Sequence, residues 1–161
     1  MAKSVTMWQN SSKKEAIFML LGTYEHNMDA KGRVSIPAKF RDDLGSTFVI
    51  SYGLDHCLYV YSMEEWTKFA DEINAGKGTN ALKIKRFFMS NACECEIDSQ
   101  GRALIPQSFK AYANLTKEVT IIGVSTRAEI WNREDWNNFK ADNDLSTENI
   151  GEYMNELGMM L

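Results

Sequence analysis

Apolar and polar positions along the chain fall into short runs separated by turns, and the same series of runs occurs twice. Cys93-Glu94-Cys95-Glu96-Ile97 alternates at the period of two that marks a half-buried strand, Asp98-Ser-Gln-Gly101 reads as a turn, and Arg102-Ala-Leu-Ile105 as a second short strand. The pattern predicts a hairpin. An Asp opening such a turn accepts from the backbone two residues on, and a Gly three residues later takes the positive φ of a bulged loop. Pro37 and Pro106 predict the first turn of two short helices, 38–44 and 107–112, where a missing N–H costs nothing. The β-branched runs at 47–51 and 118–122, and the apolar runs at 57–61 and 127–131, predict four further strands. Ser62-Met-Glu-Glu65 is a capping box and Asn132-Arg-Glu-Asp135 a near variant, so a helix closes each series.

The series is an internal repeat. Residues 29–40 and 98–109 share Asp, Gly, Arg, Ile, Pro and Phe at the same steps, six matches in twelve positions at an offset of 69. One inserted residue then carries the register on at an offset of 70, pairing Gly53 with Gly123, Tyr61 with Trp131, Trp66 with Trp136 and Phe69 with Phe139. The expected fold is β-rich α+β, a β-β-α-β-β-α unit used twice, at 19–70 and 91–139. A unit of roughly 50 residues is marginal alone, so the copies are expected to share one core. Trp66, Trp131 and Trp136 recur with the repeat, which favours packing over base stacking.

Between the copies, residues 71–90 form a linker with a Gly-rich stretch and a basic helix. Leu82, Ile84, Phe87 and Phe88 supply its apolar positions, and Lys83 and Arg86 are neighbours on another face. Residues 140–161 form an acidic tail with a C-terminal helix, where Ile150, Met154 and Leu157 make a narrow stripe suited to docking on a neighbour. Residues 1–18 are expected to be a disordered extension without assigned function.

Charge changes the picture only once it is located. The net charge is −4, but Ala141 to Leu161 holds five acids and no Lys or Arg; without that tail the chain has 18 basic against 17 acidic residues. Acidity sits in the tail, and the near-neutral body keeps local basic clusters. No run approaches the ~20 apolar residues that cross a bilayer, and residues 1–18 lack a secretory apolar core, which predicts a cytoplasmic protein. Cys57, Cys93 and Cys95 are an odd count at no scaffold density, so free thiols are expected. A Cys93-x-Cys95 pair without a second paired motif is a weak zinc signal, and strand alternation explains it. No metal, cofactor or small-molecule substrate is predicted. Phosphate-loop, nucleophile-elbow and H-E-x-x-H motifs are absent, and His26 and His56 have no matched nucleophile, so no enzyme is expected.

The paired Asp-x-x-Gly-Arg turns, in a chain with Met-Leu-Leu-Gly-Thr-Tyr at 19–24, resemble the bacterial MraZ family. Residues 32–41, 92–102 and 115–123 carry the likeness further. The resemblance implies a sequence-specific transcriptional regulator of the division and cell-wall gene cluster, its own promoter included, and so a nucleoid-associated protein. It implies two AbrB-like hairpins interleaved as a pseudo-twofold, swapped-hairpin, double-ψ-type barrel. It also implies homo-oligomeric rings, typically of eight, on short repeats in double-stranded promoter DNA.

By that analogy Arg33 and Arg102, next to the turn glycines, face DNA. Lys31, Lys39 and Arg41 would add phosphate contacts, with Lys83 and Arg86 as weaker candidates. Gln100 replaces Lys31 in the second turn, so the two copies are expected to touch DNA differently, by hydrogen bonding and by phosphate attraction. Asp29, Gly32, Asp98 and Gly101 are expected to shape the turns. The bland alternative for each Arg is an ion pair with its own turn Asp, and for Lys39, Arg41, Lys83 and Arg86 a solvated face or subunit contact. The rival function is a protein-interaction or antitoxin-like scaffold on the same fold.

Overall fold

A computed structural model describes residues 19–142 and 145–159; the extension expected at 1–18 lies outside the described residues. In chain order the elements are β1 (Thr23–Asn27), β2 (Arg33–Ser35), α1 (Ala38–Leu44), β3 (Thr47–Tyr52), a 3-10 turn (Leu54–His56), β4 (Leu58–Ser62), α2 (Met63–Ala75), α3 (Thr79–Ser90), β5 (Ala92–Glu96), β6 (Arg102–Leu104), α4 (Gln107–Tyr112), β7 (Glu118–Val124), β8 (Arg127–Asn132), α5 (Arg133–Asp142) and α6 (Thr147–Glu156). The protein is α+β, with the β-β-α-β-β-α order twice.

The predicted hairpins are corrected in one respect: their arms do not pair with each other. β1 pairs with β7 of the other copy and β5 with β3, while β2 pairs with β6, all antiparallel. A six-stranded sheet results, ordered β1-β7-β8-β4-β3-β5, beside a two-stranded β2-β6 ribbon. Exchanging the copies (β1 for β5, β3 for β7, β4 for β8) reproduces this order reversed, and the register between β4 and β8 is symmetric about Tyr59 opposite Glu129. Each copy therefore completes the other's half. The double-ψ-type barrel is not closed: β1 and β5 end the sheet without pairing with one another.

Paired registers also refine the repeat. Ile50 stands to Val60 as Ile121 does to Ile130, an offset of 71 in one strand and 70 in the next, because the chain from Ile50 to Val60 is one residue longer than the chain from Ile121 to Ile130. Gly53 and Gly123 are thus one step out of equivalence, and each is needed for its own reason. A Cβ on Gly53 would meet the Tyr59 ring at 2.5 Å, and one on Gly123 the Leu20–Leu21 backbone at 2.4 Å.

The core on one side of the sheet draws on both copies: Val34, Phe40, Phe48 and Ile50 pack with Ala103, Ile105, Val119, Ile121 and Ile130. On the other side Tyr59, Tyr61 and Trp131 are roofed by aromatics that include Phe69, Phe88, Trp136 and Phe139. The tryptophans pack there, as the repeat suggested. Helix signals hold locally: Ser62 Oγ accepts from Glu65 N–H at 3.1 Å and Asn132 Oδ1 from Asp135 N–H at 2.9 Å. The two prolines sit one step earlier than expected, at the N-caps, where Pro37 C=O accepts from Phe40 and Arg41 N–H. Only Phe88 of the apolar positions expected on α3 is buried; Leu82 and Ile84 stay 45% and 49% exposed. Among the described residues no helix is long and apolar enough to cross a membrane.

Candidate nucleic-acid interface

Both Asp-x-x-Gly-Arg turns close the same way. Gly32 N–H donates to Asp29 C=O and Asp29 N–H to Arg33 C=O, each at 3.0 Å; in the second turn the equivalents are 3.0 and 2.9 Å. The Asp29 carboxylate takes Lys31 N–H, Arg33 N–H and Arg33 Nε–H at 3.0, 2.9 and 2.7 Å. Asp98 repeats this with Gln100 N–H, Arg102 N–H and Arg102 Nε–H, all at 2.9 Å. Gly32 and Gly101 have φ of 83° and 77°, the left-handed region that closes such a bulged loop.

The ribbon β2-β6 brings the two turns together. Val34 and Ala103 face each other across it and are fully buried, so the period of two sends Arg33, Ser35, Arg102 and Leu104 to the opposite face. Arg33 is opposite Leu104 and Arg102 opposite Ser35, which makes the arginines diagonal neighbours with Cβ atoms roughly 7–8 Å apart. Arg102 Nη1 comes within 3.7 Å of the other turn's Asp29. The ribbon is lengthened by Ile36 N–H to Gly101 C=O and Ile105 N–H to Gly32 C=O, so each strand is tied to the other copy's turn.

Each turn glycine also receives a basic side chain from the helix of its neighbour. A Cβ on Gly101 would lie within 2.6 Å of the Arg41 guanidinium, and one on Gly32 at 2.8 Å from Lys110 Nζ. Arg41 and Lys110 are equivalents at the offset of 69. Shallow clefts flank the turns at equivalent places, about 420 Å³ beside Arg41, Ser46 and Ile97 and about 210 Å³ beside Met28, Lys110 and Leu115. Lys110 and Leu104 escaped the sequence reading. The repeat offset from Arg41 would have found Lys110, and strand alternation from Arg102 would have found Leu104, which is 58% exposed beside the arginines.

Other expected residues divide. Lys31 and Gln100 are exposed at the turn tips, and Lys39 is exposed on α1. Arg41 is half-buried and its Nε donates to Ile36 C=O at 2.9 Å. Lys83 and Arg86 lie on α3, which reaches β5 at the end opposite the second turn, a strand length of about 16 Å away. The structure does not bring them to the ribbon. Burial first, then the charges of Arg41 and Arg133, lowers the pKa of His26 and so disfavours its cationic form.

Asp29 and Asp98 have pKa values lowered first by the backbone N–H of Arg33 and of Arg102, respectively. A lowered carboxyl pKa stabilises the turn above the unfolded value near 3.8 and loses that contribution as pH falls through the folded one. Carboxyl titration by NMR should therefore place both midpoints below 3.8, with the amides of Lys31, Arg33, Gln100 and Arg102 shifting in the same acidic window. Ordinary midpoints would show that these hydrogen bonds do not form in solution.

The turn Asp engages only the Nε edge of each arginine. Among the described residues the Nη atoms of Arg33 have no hydrogen-bond partner, and those of Arg102 have only the long approach to Asp29. A guanidinium held at one edge with its fork open is preorganised for a two-acceptor target, a guanine edge or a phosphate. Leu104 stands exposed on the same face, an apolar side chain beside the two guanidinium groups.

The profile of the MraZ protein family matches residues 19–83 and 88–156, once for each copy of the repeat. A protein of Caldicellulosiruptor saccharolyticus named transcriptional regulator MraZ is 50% identical over 143 residues, 88% of this chain and all of the relative. Relatives of the same name in Thermoanaerobacter sp. (strain X514) and Alkaliphilus metalliredigens are 49% and 46% identical over the same shares.

Proposed function

The chain belongs to the MraZ family, and from that premise we propose that it is a DNA-binding transcriptional regulator, not an enzyme, which reads promoter DNA with the exposed face of the β2-β6 ribbon. The observation that carries the reading is the pair of arginines at diagonal positions, each held at Nε by its turn Asp with the fork open. Arg33 and Arg102 reach base edges, Leu104 lies against a thymine methyl, and Lys31, Lys39, Arg41 and Lys110 attract the flanking phosphates. Gln100 gives the second turn a neutral hydrogen-bonding tip where the first has a cation.

In this reading the protein acts in the cytoplasm at the nucleoid, on the division and cell-wall gene cluster and its own promoter. Several copies assemble into a ring, each presenting one ribbon to one of a series of short repeats. The body carries almost no net charge, so one ribbon binds weakly, and linkage of several supplies the affinity through effective concentration. A swapped arrangement of the turns, as in AbrB-like hairpins, fits the exchange of strands between copies.

The test is a salt series of binding to the DNA upstream of the gene, with a shuffled duplex of equal length as control. Salt-sensitive preference for the native fragment is the expected result; equal weak binding to both would move the function to a partner-binding scaffold. Lys110→Ala should lower the log-log salt slope by about 1 for each engaged subunit while leaving the preference for the native fragment intact. Leu104→Ala should do the reverse, weakening preference at thymine positions with the salt slope unchanged.

A further inference from the structure

The β2-β6 ribbon has a twofold of its own. Exchanging the copies turns Arg33, Val34 and Ser35 into Arg102, Ala103 and Leu104, and the register maps onto itself about the buried Val34–Ala103 pair. The closing bonds, Ile36 N–H to Gly101 C=O and Ile105 N–H to Gly32 C=O, match at 2.9 Å. Such a backbone with an arginine at each end would read a palindrome if its other outward side chains were also alike. They are not. Leu104, 58% exposed, stands directly across from Arg33, and Ser35 directly across from Arg102. Residues opposed in this way have Cβ atoms about 4.5–5.5 Å apart, so each arginine and its neighbour span one to two base-pair steps of about 3.4 Å. Ser35 is half-buried, and its Oγ has no hydrogen-bond partner among the described residues. The flanking cations are alike at the two ends, Lys110 beside Gly32 and Arg41 beside Gly101, and phosphate contacts carry no sequence information.

We propose that Ser35 and Leu104 are the residues that give the ribbon a direction on DNA. The Arg33–Leu104 end takes a guanine beside a thymine, whose methyl group the leucine covers. The Arg102–Ser35 end takes a guanine beside any base pair, because a hydroxyl both donates and accepts. The preferred box has guanine at both ends and demands thymine at one, so the chain lies on it in one orientation. The inference rests on the ribbon being the reading surface, as proposed above, and names the residues that tell one end of a box from the other.

The test presents full-length protein, at low salt, with a pool of duplexes randomised over a segment long enough for one ribbon, and reads the enriched sequences. Wild type should enrich a box with thymine demanded at one end. Ser35→Leu should demand it at both ends, and Leu104→Ser at neither. The chain carrying both substitutions should return the wild-type box, because half a turn about the ribbon axis restores the outward face. Both positions face outward, so circular dichroism and mass should match wild type. Replacing the demanded thymine by deoxyuridine removes its methyl group alone, and should weaken wild-type binding about fourfold, as expected for one buried methyl, while leaving Leu104→Ser unchanged. That comparison on wild type needs no variant to fold. A palindromic wild-type box, single variants that enrich the wild-type box, an exchanged chain that does not recover it, or indifference of wild type to deoxyuridine overturns the proposal. A box that needs Arg33 and Arg102 but ignores residues 35 and 104 overturns the direction alone; a box that survives Arg33→Ala with Arg102→Ala, or no enriched box at all, overturns the ribbon as reading surface as well.

Discussion

The variant carrying Arg33→Ala and Arg102→Ala together is expected to lose its preference for the native promoter fragment over a shuffled duplex while keeping its mass and fold. Each arginine presents its Nη fork on the ribbon face opposite buried Val34 and Ala103. A bidentate contact to a guanine is worth ~1–3 kcal/mol of discrimination, so one ribbon loses roughly 2–6 kcal/mol and an assembly loses more. The fold should survive because both side chains are part-exposed and the backbone bonds of the turns do not need them. Arg33→Lys with Arg102→Lys makes the sharper comparison: it keeps the charge and removes the planar fork, so the salt slope should stay while preference falls. Wild-type preference in both variants, measured by competition at fixed salt, would show that the ribbon is not the reading surface.

The sequence revealed the components of this surface better than their arrangement. Asp29, Gly32 and Arg33, with Asp98, Gly101 and Arg102, are local features: their bonds span at most four residues, so spacing alone announces them. The caps at Ser62 and Asn132 are local in the same sense. Partner choice by the strands is not. Cys93–Ile97 alternates as a half-buried strand whether it pairs with residues 102–105 or with β3, and the pattern that predicts a strand holds no record of its neighbour. What places Arg33 beside Arg102 is the pairing of β2 with β6 across 69 residues, a long-range event read only from structure. The repeat offset was an underused signal, since it carries Arg41 to Lys110 directly. On α3, the four apolar positions read from the sequence keep only Phe88 buried, because contact with α2 and the sheet covers one side of the helix.

Phe40→Ala is expected to destabilise the whole chain in a single transition. Phe40 is 1% exposed on α1 of the first copy, and its ring meets Tyr24 edge-on at 5.2 Å. Tyr24 belongs to β1, which pairs with β7 of the second copy, so the truncation opens a cavity at a junction of the two repeats. Removal of a buried phenyl ring costs ~3–5 kcal/mol, a large share of the ~5–15 kcal/mol that holds a domain of this kind. At roughly 2–4 °C per kcal/mol for a chain of this size, Tm should fall by about 10 °C, with the exact shift set by how far the site collapses. Phe109→Ala, the equivalent in the second copy, should act on the same transition, since Phe109 joins the same cluster. A pair of independent domains would instead give two calorimetric transitions, each moved by only one of the two substitutions. Because neither copy holds a complete sheet of its own, loss of packing in either removes the support of both ribbon strands, and DNA recognition should disappear with the single unfolding step.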